Sequence, residues 1–200
     1  MVAKRIMDLV LVIPGLLILL PVLALVSLWI KFDSTGPVIF KQKRIGMDGV
    51  SFLILKFRTM VVDSEKLGAK VTVENDSRIT KSGGFLRKYK LDELPQLINV
   101  LKGDMSLVGP RPEVSEYVAY WPADLRKIIL SVPPGITDFS SIEFRNESEL
   151  LKDETETDKI YINDILPIKL KYYVKYVNER SLWMDIVLIA RTIRAIFLAR

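Results

Sequence analysis

The stretch LDELPQLINVLKGDMSLVGPRP, from Leu91 to Pro112, sets two carboxylates side by side and, one short helix later, an arginine between two prolines. The acids are Asp92 and Glu93, and the arginine is Arg111. Pro112 restricts Arg111 to an extended backbone, and a stiff backbone that presents one guanidinium suits bidentate recognition of phosphate. A rigid turn is the alternative interpretation of the GPRP sequence.

The same stretch predicts a short helix. It would run from Glu93 to Lys102, with Pro95 in the first turn and Gly103 as the C-terminal stop. Asp92 is then a good N-cap, and plain capping remains an alternative to a chemical role. A helix start also offers free N–H groups to a phosphate. Basic residues crowd the same stretch: Arg87, Lys88, Lys90, Lys102 and Arg111.

The composition limits the chemistry that is open to the chain. There is no histidine and no cysteine among 200 residues, so nucleophilic work falls to Asp, Glu, Ser, Thr, Lys or Tyr. The net charge of +5 fits an anionic surface or a phosphorylated ligand. A carboxylate can attack phosphorus if a divalent cation and arginines neutralise the charge. One acid as nucleophile, its neighbour as a Mg²⁺ ligand and arginines on phosphate would explain the stretch.

A long apolar run near the N-terminus predicts contact with a membrane. Leu9 to Ile30 carries no charge and would reach ~33 Å as a helix, against a hydrocarbon core of ~30 Å. A signal peptide is disfavoured, because no small-x-small cleavage site follows. A spanning helix and a helix that turns back both remain open. Pro21 favours a turn, since an interior proline costs ~3 kcal/mol, and Ser27 is a candidate partner for a freed carbonyl.

Two further segments have recognisable patterns. PVIFKQKRI and VSFLILKFRTM flank the turn sequence GMDG, which predicts a β-hairpin that brings Lys56 and Arg58 close together. A solvated edge strand is the alternative for those charges. Residues 166–200 mix aromatic, basic and aliphatic residues at helical spacing. This predicts either a core helix or an amphipathic helix in the headgroup layer, with Arg191, Arg194 and Arg200 near anionic lipid.

Together these motifs resemble the bacterial sugar transferase family of monotopic phosphoglycosyl transferases. KRIMD, KFRTM, LRKYKLDELPQLINVLKGDMSLVGPRP, PPGIT and SLWMDI occur in family order over nearly the whole chain. The resemblance implies an α+β, mainly helical fold. Residues 1–32 would form a re-entrant membrane helix-break-helix that turns at Pro21. Residues 33–200 would form a cytoplasmic interfacial catalytic domain, with a β-hairpin and amphipathic interfacial helices around a small catalytic core.

The resemblance also implies a ping-pong reaction at the cytoplasmic face of the bacterial inner membrane. Asp92 would displace UMP from a UDP-sugar to form an aspartyl-phosphosugar, and polyprenyl (undecaprenyl) phosphate would then take the sugar phosphate. This would be the first membrane step of bacterial polysaccharide or glycoprotein assembly, by the smaller catalytic form of the family. Glu93 would hold Mg²⁺. The expected phosphate- and substrate-binding residues are Lys56, Arg58, Arg87, Gln96, Arg111 and Arg145.

The expected partners are the UDP-sugar, polyprenyl phosphate and membrane lipids, with no nucleic acid, and a homodimer is left open. Two departures from the family pattern stand out. Leu20-Pro21 replaces a Ser-Pro break, and PGITDFSSIEFR, from Pro134 to Arg145, replaces PGITGLAQVNGR. The final arginine keeps its spacing, while the altered interior leaves sugar and base recognition open.

Two other classes are a non-catalytic scaffold and a different enzyme that acts on the same substrates, and the sequence disfavours both. A non-catalytic scaffold of a glycan assembly complex is disfavoured by the intact Asp92, Glu93 and Arg111. An ordinary nucleotide-sugar glycosyltransferase would show Asp-x-Asp, which the sequence lacks. A polytopic phosphosugar transferase needs many apolar spans, and the sequence has one long apolar run.

Overall fold

The structure, a computed structural model, describes residues 2–64, 76–145 and 157–197, and these are mainly helical with two small sheets. The predicted α+β, mainly helical class is confirmed. The helices are α1 (Val2–Asp33), α2 (Lys81–Lys88), α3 (Gln96–Lys102), α4 (Ser115–Val118), α5 (Ala123–Ile129), α6 (Phe139–Glu143), α7 (Thr157–Ile160), α8 (Leu166–Glu179) and α9 (Leu182–Phe197). The strands are β1 (Ile39–Ile45), β2 (Ser51–Phe57), β3 (Ser106–Val108) and β4 (Gly135–Thr137).

Helix α1 lies along the rest of the described chain. Its buried and partly buried side chains recur every three or four residues and share one face: Asp8, Val12, Leu16, Leu19, Leu23, Val26 and Ile30. The opposite face is apolar and exposed over the whole length, from Ile6 to Phe32. By length and composition, α1 is the one helix in the described ranges that is able to cross a membrane.

Polar side chains in the first turns of α1 attach it to the domain. Lys4 forms an ion pair with the buried Asp185 of α9 at 2.6 Å. Asp8 is also buried, and it accepts hydrogen bonds from the Ser106 hydroxyl (2.8 Å) and the Leu107 N–H (3.2 Å) of β3. Arg5 donates to two main-chain carbonyls at the end of α3, those of Val100 and Leu101. The KRIMD motif is therefore the attachment site of the N-terminal end of α1.

The C-terminal end of α1 is attached to the same domain. Ile30 is fully buried in a cluster with Phe57 of β2 and Leu86 of α2. Asp33 accepts hydrogen bonds from the N–H (3.0 Å) and the hydroxyl (2.8 Å) of Ser82 in α2. These hydrogen bonds hold the pKa of Asp33 below its usual value. Both ends of the apolar helix are thus held by one packed body.

The expected break at Pro21 does not occur in this structure. The backbone stays helical through Pro14 and Pro21, and both prolines lie on the exposed face. A proline removes one helical hydrogen bond, and the packing of α1 along its whole length offsets that loss. The Ser27 hydroxyl donates to the Leu23 carbonyl at 2.6 Å and so does not serve the carbonyl that Pro21 frees.

The predicted β-hairpin is confirmed. Strands β1 and β2 pair antiparallel, from Ile39 opposite Phe57 to Ile45 opposite Ser51. The turn passes through Asp48 and Gly49, which both have positive φ. Alternation along β2 sets three side chains on the face toward α3: Phe52, Ile54 and Lys56.

Helix α3 begins later than the sequence suggested. It starts at Gln96, with Pro95 at the N-cap, and a separate 3₁₀ turn carries Asp92 and Glu93. The predicted N-cap role of Asp92 is therefore wrong, because Pro95 separates the acids from the helix. The predicted stop is confirmed: Gly103 has φ of 95° and donates its N–H to carbonyls of the last turn.

Strands β3 and β4 pair in parallel and bring the GPRP and PGIT sequences together. Ser106 lies opposite Gly135, and just beyond β3 the backbone of Gly109 meets that of Gly135. A Cβ on Gly135 would lie 2.0 Å from the Gly109 nitrogen, so this crossing admits no side chain. The Gly135 N–H also donates to the Pro110 carbonyl at 3.0 Å, which fixes the loop that carries Arg111.

Residues 166–197 form two helices, one of the core type and one of the amphipathic type that the sequence predicted as alternatives. Helix α8 is a core helix, whose buried side chains include Leu170, Tyr173 and Tyr176. Helix α9 is amphipathic, and its exposed apolar side chains are Leu182, Trp183, Ile186 and Ile193. Arg191 and Arg194 are exposed on α9, and Arg200 lies outside the described residues.

We expect Gly135→Ala to destabilise the fold by about 1–3 kcal/mol, because the methyl group meets backbone atoms that have little room to move. Gly84→Ala is the matched control: nothing lies within 4 Å of a Cβ there, and alanine in α2 gains about 0.5–1 kcal/mol of helix propensity. Thermal unfolding of the two detergent-solubilised variants checks both signs. A Gly135→Ala variant as stable as wild type would contradict the close crossing.

Candidate active site

Asp92 is a buried carboxylate with an unused oxygen. It lies in the 3₁₀ turn between α2 and α3 and is 8% exposed. Its Oδ1 is shielded from solvent and accepts no hydrogen bond from the residues that the structure describes. Burial raises the pKa of Asp92, and the neighbouring Glu93 raises it further, while Lys56, Arg87 and Lys90 act in the opposite direction. Asp92 is thus a carboxylate of increased proton affinity with several cations nearby.

Glu93 holds two cations from distant parts of the chain. Its Oε1 accepts from the Lys56 ammonium at 3.1 Å and from Arg111, whose other terminal nitrogen donates to Oε2 at 3.1 Å. Burial alone would raise the pKa of Glu93, but the charges of Arg111, Lys56 and Lys90 hold it well below its usual range. In return Glu93 raises the pKa of Arg111 against the effect of burial. Arg111 and Glu93 thus form a two-pronged ion pair.

The side chain of Asn99 sets β2 against α3. It is 1% exposed, accepts from the Leu55 N–H at 2.9 Å and donates to the Leu53 carbonyl at 2.8 Å. These bonds fix the register of the strand one residue before Lys56. Asn99 is not among the site residues that the sequence predicts. Its signal there was a polar side chain on the inner face of a helix between apolar neighbours.

Further cations complete the surroundings of the two acids. The Arg87 guanidinium donates to the Thr59 hydroxyl at 2.9 Å, and its charge acts on both carboxylates. Lys90 precedes the acids and interacts with both through its charge. It was noted in the sequence as part of the basic stretch but was not among the expected site residues. With the cations on Glu93, the positive charges outnumber the two carboxylates.

Two expected site residues are held elsewhere. Arg58 is buried, and its guanidinium donates to the Ser34 and Thr35 carbonyls, both at 2.7 Å. Arg58 therefore holds the chain that follows α1. Strand β2 ends at Phe57, so Arg58 does not continue the strand alternation and points away from Lys56. Arg145 donates to the Ala195 main-chain carbonyl of α9. Its positive charge nevertheless lowers the pKa of Lys90.

Gln96 is a buried amide at the start of α3. It is 1% exposed and follows Asp92 by four residues. Neither its amide nitrogen nor its amide oxygen has a hydrogen-bond partner among the described residues. A buried amide without partners is costly, so these atoms are available to a ligand.

The altered PGITDFSSIEFR segment also lies against Arg111, which donates to the Ile136 carbonyl at 3.4 Å. Asp138, in this segment, is fully buried and caps α6 by accepting from the Ser141 N–H at 2.7 Å. Burial raises the pKa of Asp138 although these hydrogen bonds lower it. The departure from the family pattern thus has a local structural use as a helix cap.

The donor set at the site is compatible with Mg²⁺. No group of three or more His, Cys, Asp or Glu side chains that is able to hold a metal occurs in the described ranges. Mg²⁺ needs no such cage, since it binds through one or two carboxylates together with substrate phosphates and water. The free Oδ1 of Asp92 beside Glu93 meets that requirement.

We expect Asn99→Ala to cost about 2–4 kcal/mol of stability, because buried main-chain groups of β2 lose their partners. Asn178→Ala, at an exposed position of α8, is the matched control and should change stability by less than about 0.5 kcal/mol. Denaturant titration in detergent measures both. Equal effects at the two positions would show that Asn99 does not join β2 to α3.

Comparison with known proteins agrees with the motifs. The family described as bacterial sugar transferase matches residues 1–199. The UDP-glucose:undecaprenyl-phosphate glucose-1-phosphate transferase of Escherichia coli K12 is 39% identical over 194 residues, which are 95% of this chain and 39% of that protein. The UDP-N-acetylgalactosamine-undecaprenyl-phosphate N-acetylgalactosaminephosphotransferase of Aeromonas hydrophila is 35% identical over 195 residues, 96% of this chain and 43% of that protein.

A relative of more similar length is the UDP-glucose:undecaprenyl-phosphate glucose-1-phosphate transferase of Caulobacter vibrioides. It is 34% identical over 192 residues, which are 95% of this chain and 68% of that protein. The chain thus spans about two fifths of the first two relatives and about two thirds of the third. The match covers the carboxylate pair, Arg111 and both ends of α1, and by this match the chain belongs to the bacterial sugar transferase family.

Proposed function

We propose that this protein transfers a sugar 1-phosphate from a UDP-sugar to undecaprenyl phosphate and releases UMP, as the first membrane step of bacterial glycan assembly. The observation that carries the proposal is the buried Asp92 carboxylate, with one oxygen free and cations on several sides. The named activities of the relatives support the choice of substrates. No observation favours a non-catalytic scaffold.

The first half-reaction forms a bond between Asp92 and phosphorus. A carboxylate oxygen of Asp92 attacks the phosphorus that bears the sugar, and the bond from that phosphorus to the UMP oxygen breaks. The electron pair leaves with UMP, so no proton is required. The raised pKa of Asp92 makes its carboxylate a better nucleophile than an ordinary exposed aspartate.

The second half-reaction regenerates the enzyme. An oxygen of undecaprenyl phosphate attacks the same phosphorus, the bond to Asp92 breaks, and the carboxylate is restored. The product is a sugar diphosphate lipid. Both steps pass through a crowded, negatively charged phosphoryl centre, which neighbouring cations stabilise.

Glu93 and its partners organise those cations. Glu93 orients the Arg111 guanidinium and the Lys56 ammonium beside Asp92, and Pro110 and Pro112 stiffen the loop behind Arg111. We assign Mg²⁺ to Glu93 and the free Asp92 oxygen, where it would neutralise phosphate charge together with the arginines. Gln96 contributes amide groups to the substrate from the first turn of α3.

We place the catalytic domain on the cytoplasmic face of the bacterial inner membrane, with α1 in the lipid and both its ends on that face. Two observations support this topology. Lys4 and Asp8 at one end and Ile30 and Asp33 at the other bind the same domain. A spanning helix would carry the first two residues to the far side. The exposed apolar faces of α1 and α9 would meet lipid.

The covalent intermediate is the direct test of the reaction. Incubation with labelled UDP-sugar and no lipid acceptor should release UMP and leave label on a peptide that contains Asp92, detected by mass spectrometry. Asp92→Asn should lose the label and lower turnover by at least about 10³-fold. Asp124→Asn, an exposed acid on α5, is the control. Label on Glu93, or none under conditions of turnover, would sink the assignment.

The topology is tested by thiol labelling, since the chain has no cysteine. Single cysteines at the exposed Val2 and Thr35, near the two ends of α1, should both resist an impermeant maleimide in intact cells and react once the membrane is opened. Lys127→Cys, on the exposed side of α5, controls for reagent access. Labelling of the Val2 site alone from outside would show a spanning helix.

A further inference from the structure

Lys90 has a backbone conformation that lysine rarely adopts. Its φ of 56° and ψ of 21° lie in the left-handed region. The other non-glycine residues with positive φ in the described ranges are aspartates, Asp48 and Asp63, whose short polar side chains make this conformation less costly. A lysine has no such local compensation, so the strain suggests a use for its side chain.

The turn itself does not require a lysine. The Lys90 N–H donates to the Arg87 carbonyl at 3.1 Å, and its own carbonyl accepts from the Glu93 N–H at 3.4 Å. These bonds lead the chain from α2 directly into the turn that carries the two acids. Glycine would adopt the same backbone without strain. The side chain of Lys90 therefore needs a separate explanation.

Among the described cations around the two acids, Lys90 has an ammonium group with no hydrogen-bond partner. Lys90 is partly buried, yet it makes no side-chain hydrogen bond or ion pair to any of the residues described. Its charge interacts with both carboxylates and with the Arg111 and Arg145 guanidinium groups. The other cations around the acids all donate hydrogen bonds to protein atoms: Lys56, Arg87, Arg111 and Arg145. The N–H donors of Lys90 remain available to a ligand.

In both half-reactions a phosphate monoester lies on the side of the reacting phosphorus opposite Asp92. Attack and departure at phosphorus are in line, so UMP leaves, and undecaprenyl phosphate enters, opposite the Asp92 oxygen. Both molecules are phosphate monoesters, which are largely dianionic at pH 7 because the second pKa is about 6. A free cation beside Asp92 suits this shared group.

We propose that Lys90 is a binding residue for the phosphate monoester, used in turn by the leaving UMP and by the incoming lipid phosphate. The proposal rests on the proposed function and adds a subsite to it. An ammonium acts as a point charge and so tolerates two ligands that share only their phosphate. Arg111 and Lys56, which Glu93 orients, then serve the phosphate that carries the sugar.

Lys90→Gly separates this role from a structural one. Glycine relieves the backbone strain, so the variant should be at least as stable as wild type, while its Kd for UMP should rise about tenfold or more through loss of a charge-assisted hydrogen bond. Calorimetric titration of the full chain in detergent with UMP measures the Kd. Lys88→Gln, an exposed lysine two residues earlier, should bind UMP as wild type does.

Steady-state kinetics distinguishes the two sources of phosphate. In Lys90→Gly the inhibition constant of UMP and the KM for undecaprenyl phosphate should rise by similar factors. A rise in only one of them would overturn the shared subsite, and unchanged values of both, with unchanged UMP affinity, would overturn any role of Lys90 in binding. If wild type neither binds UMP nor releases it from a UDP-sugar, the proposed function fails and this inference fails with it.

Discussion

The ion pair between Glu93 and Arg111, joined by Lys56, is the interaction on which the site depends. It connects the 3₁₀ turn, the loop after β3 and strand β2, which are far apart in sequence. Moving these charges out of water is costly, and the cost is repaid only by good geometry. That geometry comes from apolar and main-chain features: the Asn99 bonds to β2, the glycine crossing at Gly135 and the prolines beside Arg111.

The surroundings of the two neighbouring acids shift their pKa values in opposite directions. Glu93 faces two cations and its pKa is lowered, whereas Asp92 is buried beside another carboxylate and its pKa is raised. Environments that separate the pKa values of adjacent acids give them different chemical roles. Glu93 is thus suited to hold cations, and Asp92 to donate electrons to an electrophile.

Helix α1 and the site form one packed unit. Arg5 binds the carbonyl end of α3, whose other end follows the two acids, and Asp8 binds the strand that precedes Arg111. Arg58 secures the exit from α1, two residues after Lys56. The distance between the apolar face of α1 and Asp92 is therefore set by rigid contacts. The proposed reaction between a soluble nucleotide and a lipid phosphate needs such a fixed distance, because the lipid phosphate would stay at the headgroup level.

The sequence by itself determined the hairpin, the stop at Gly103, the apolar helix and the identity of the acid pair, because each of these depends on neighbouring residues. Only the tertiary structure decided that α1 lies along the domain: a helix that is apolar on all sides has no period that marks its packed face. It likewise decided that Pro95 excludes Asp92 from α3, and that Arg58 turns to the exit of α1 while Lys56 reaches Glu93. The structural role of Asn99 follows from its contacts, and the proposed role of Lys90 from a backbone angle, and no local pattern encodes either. Partner choice among charged side chains depends on which distant segments meet, and packing sets that.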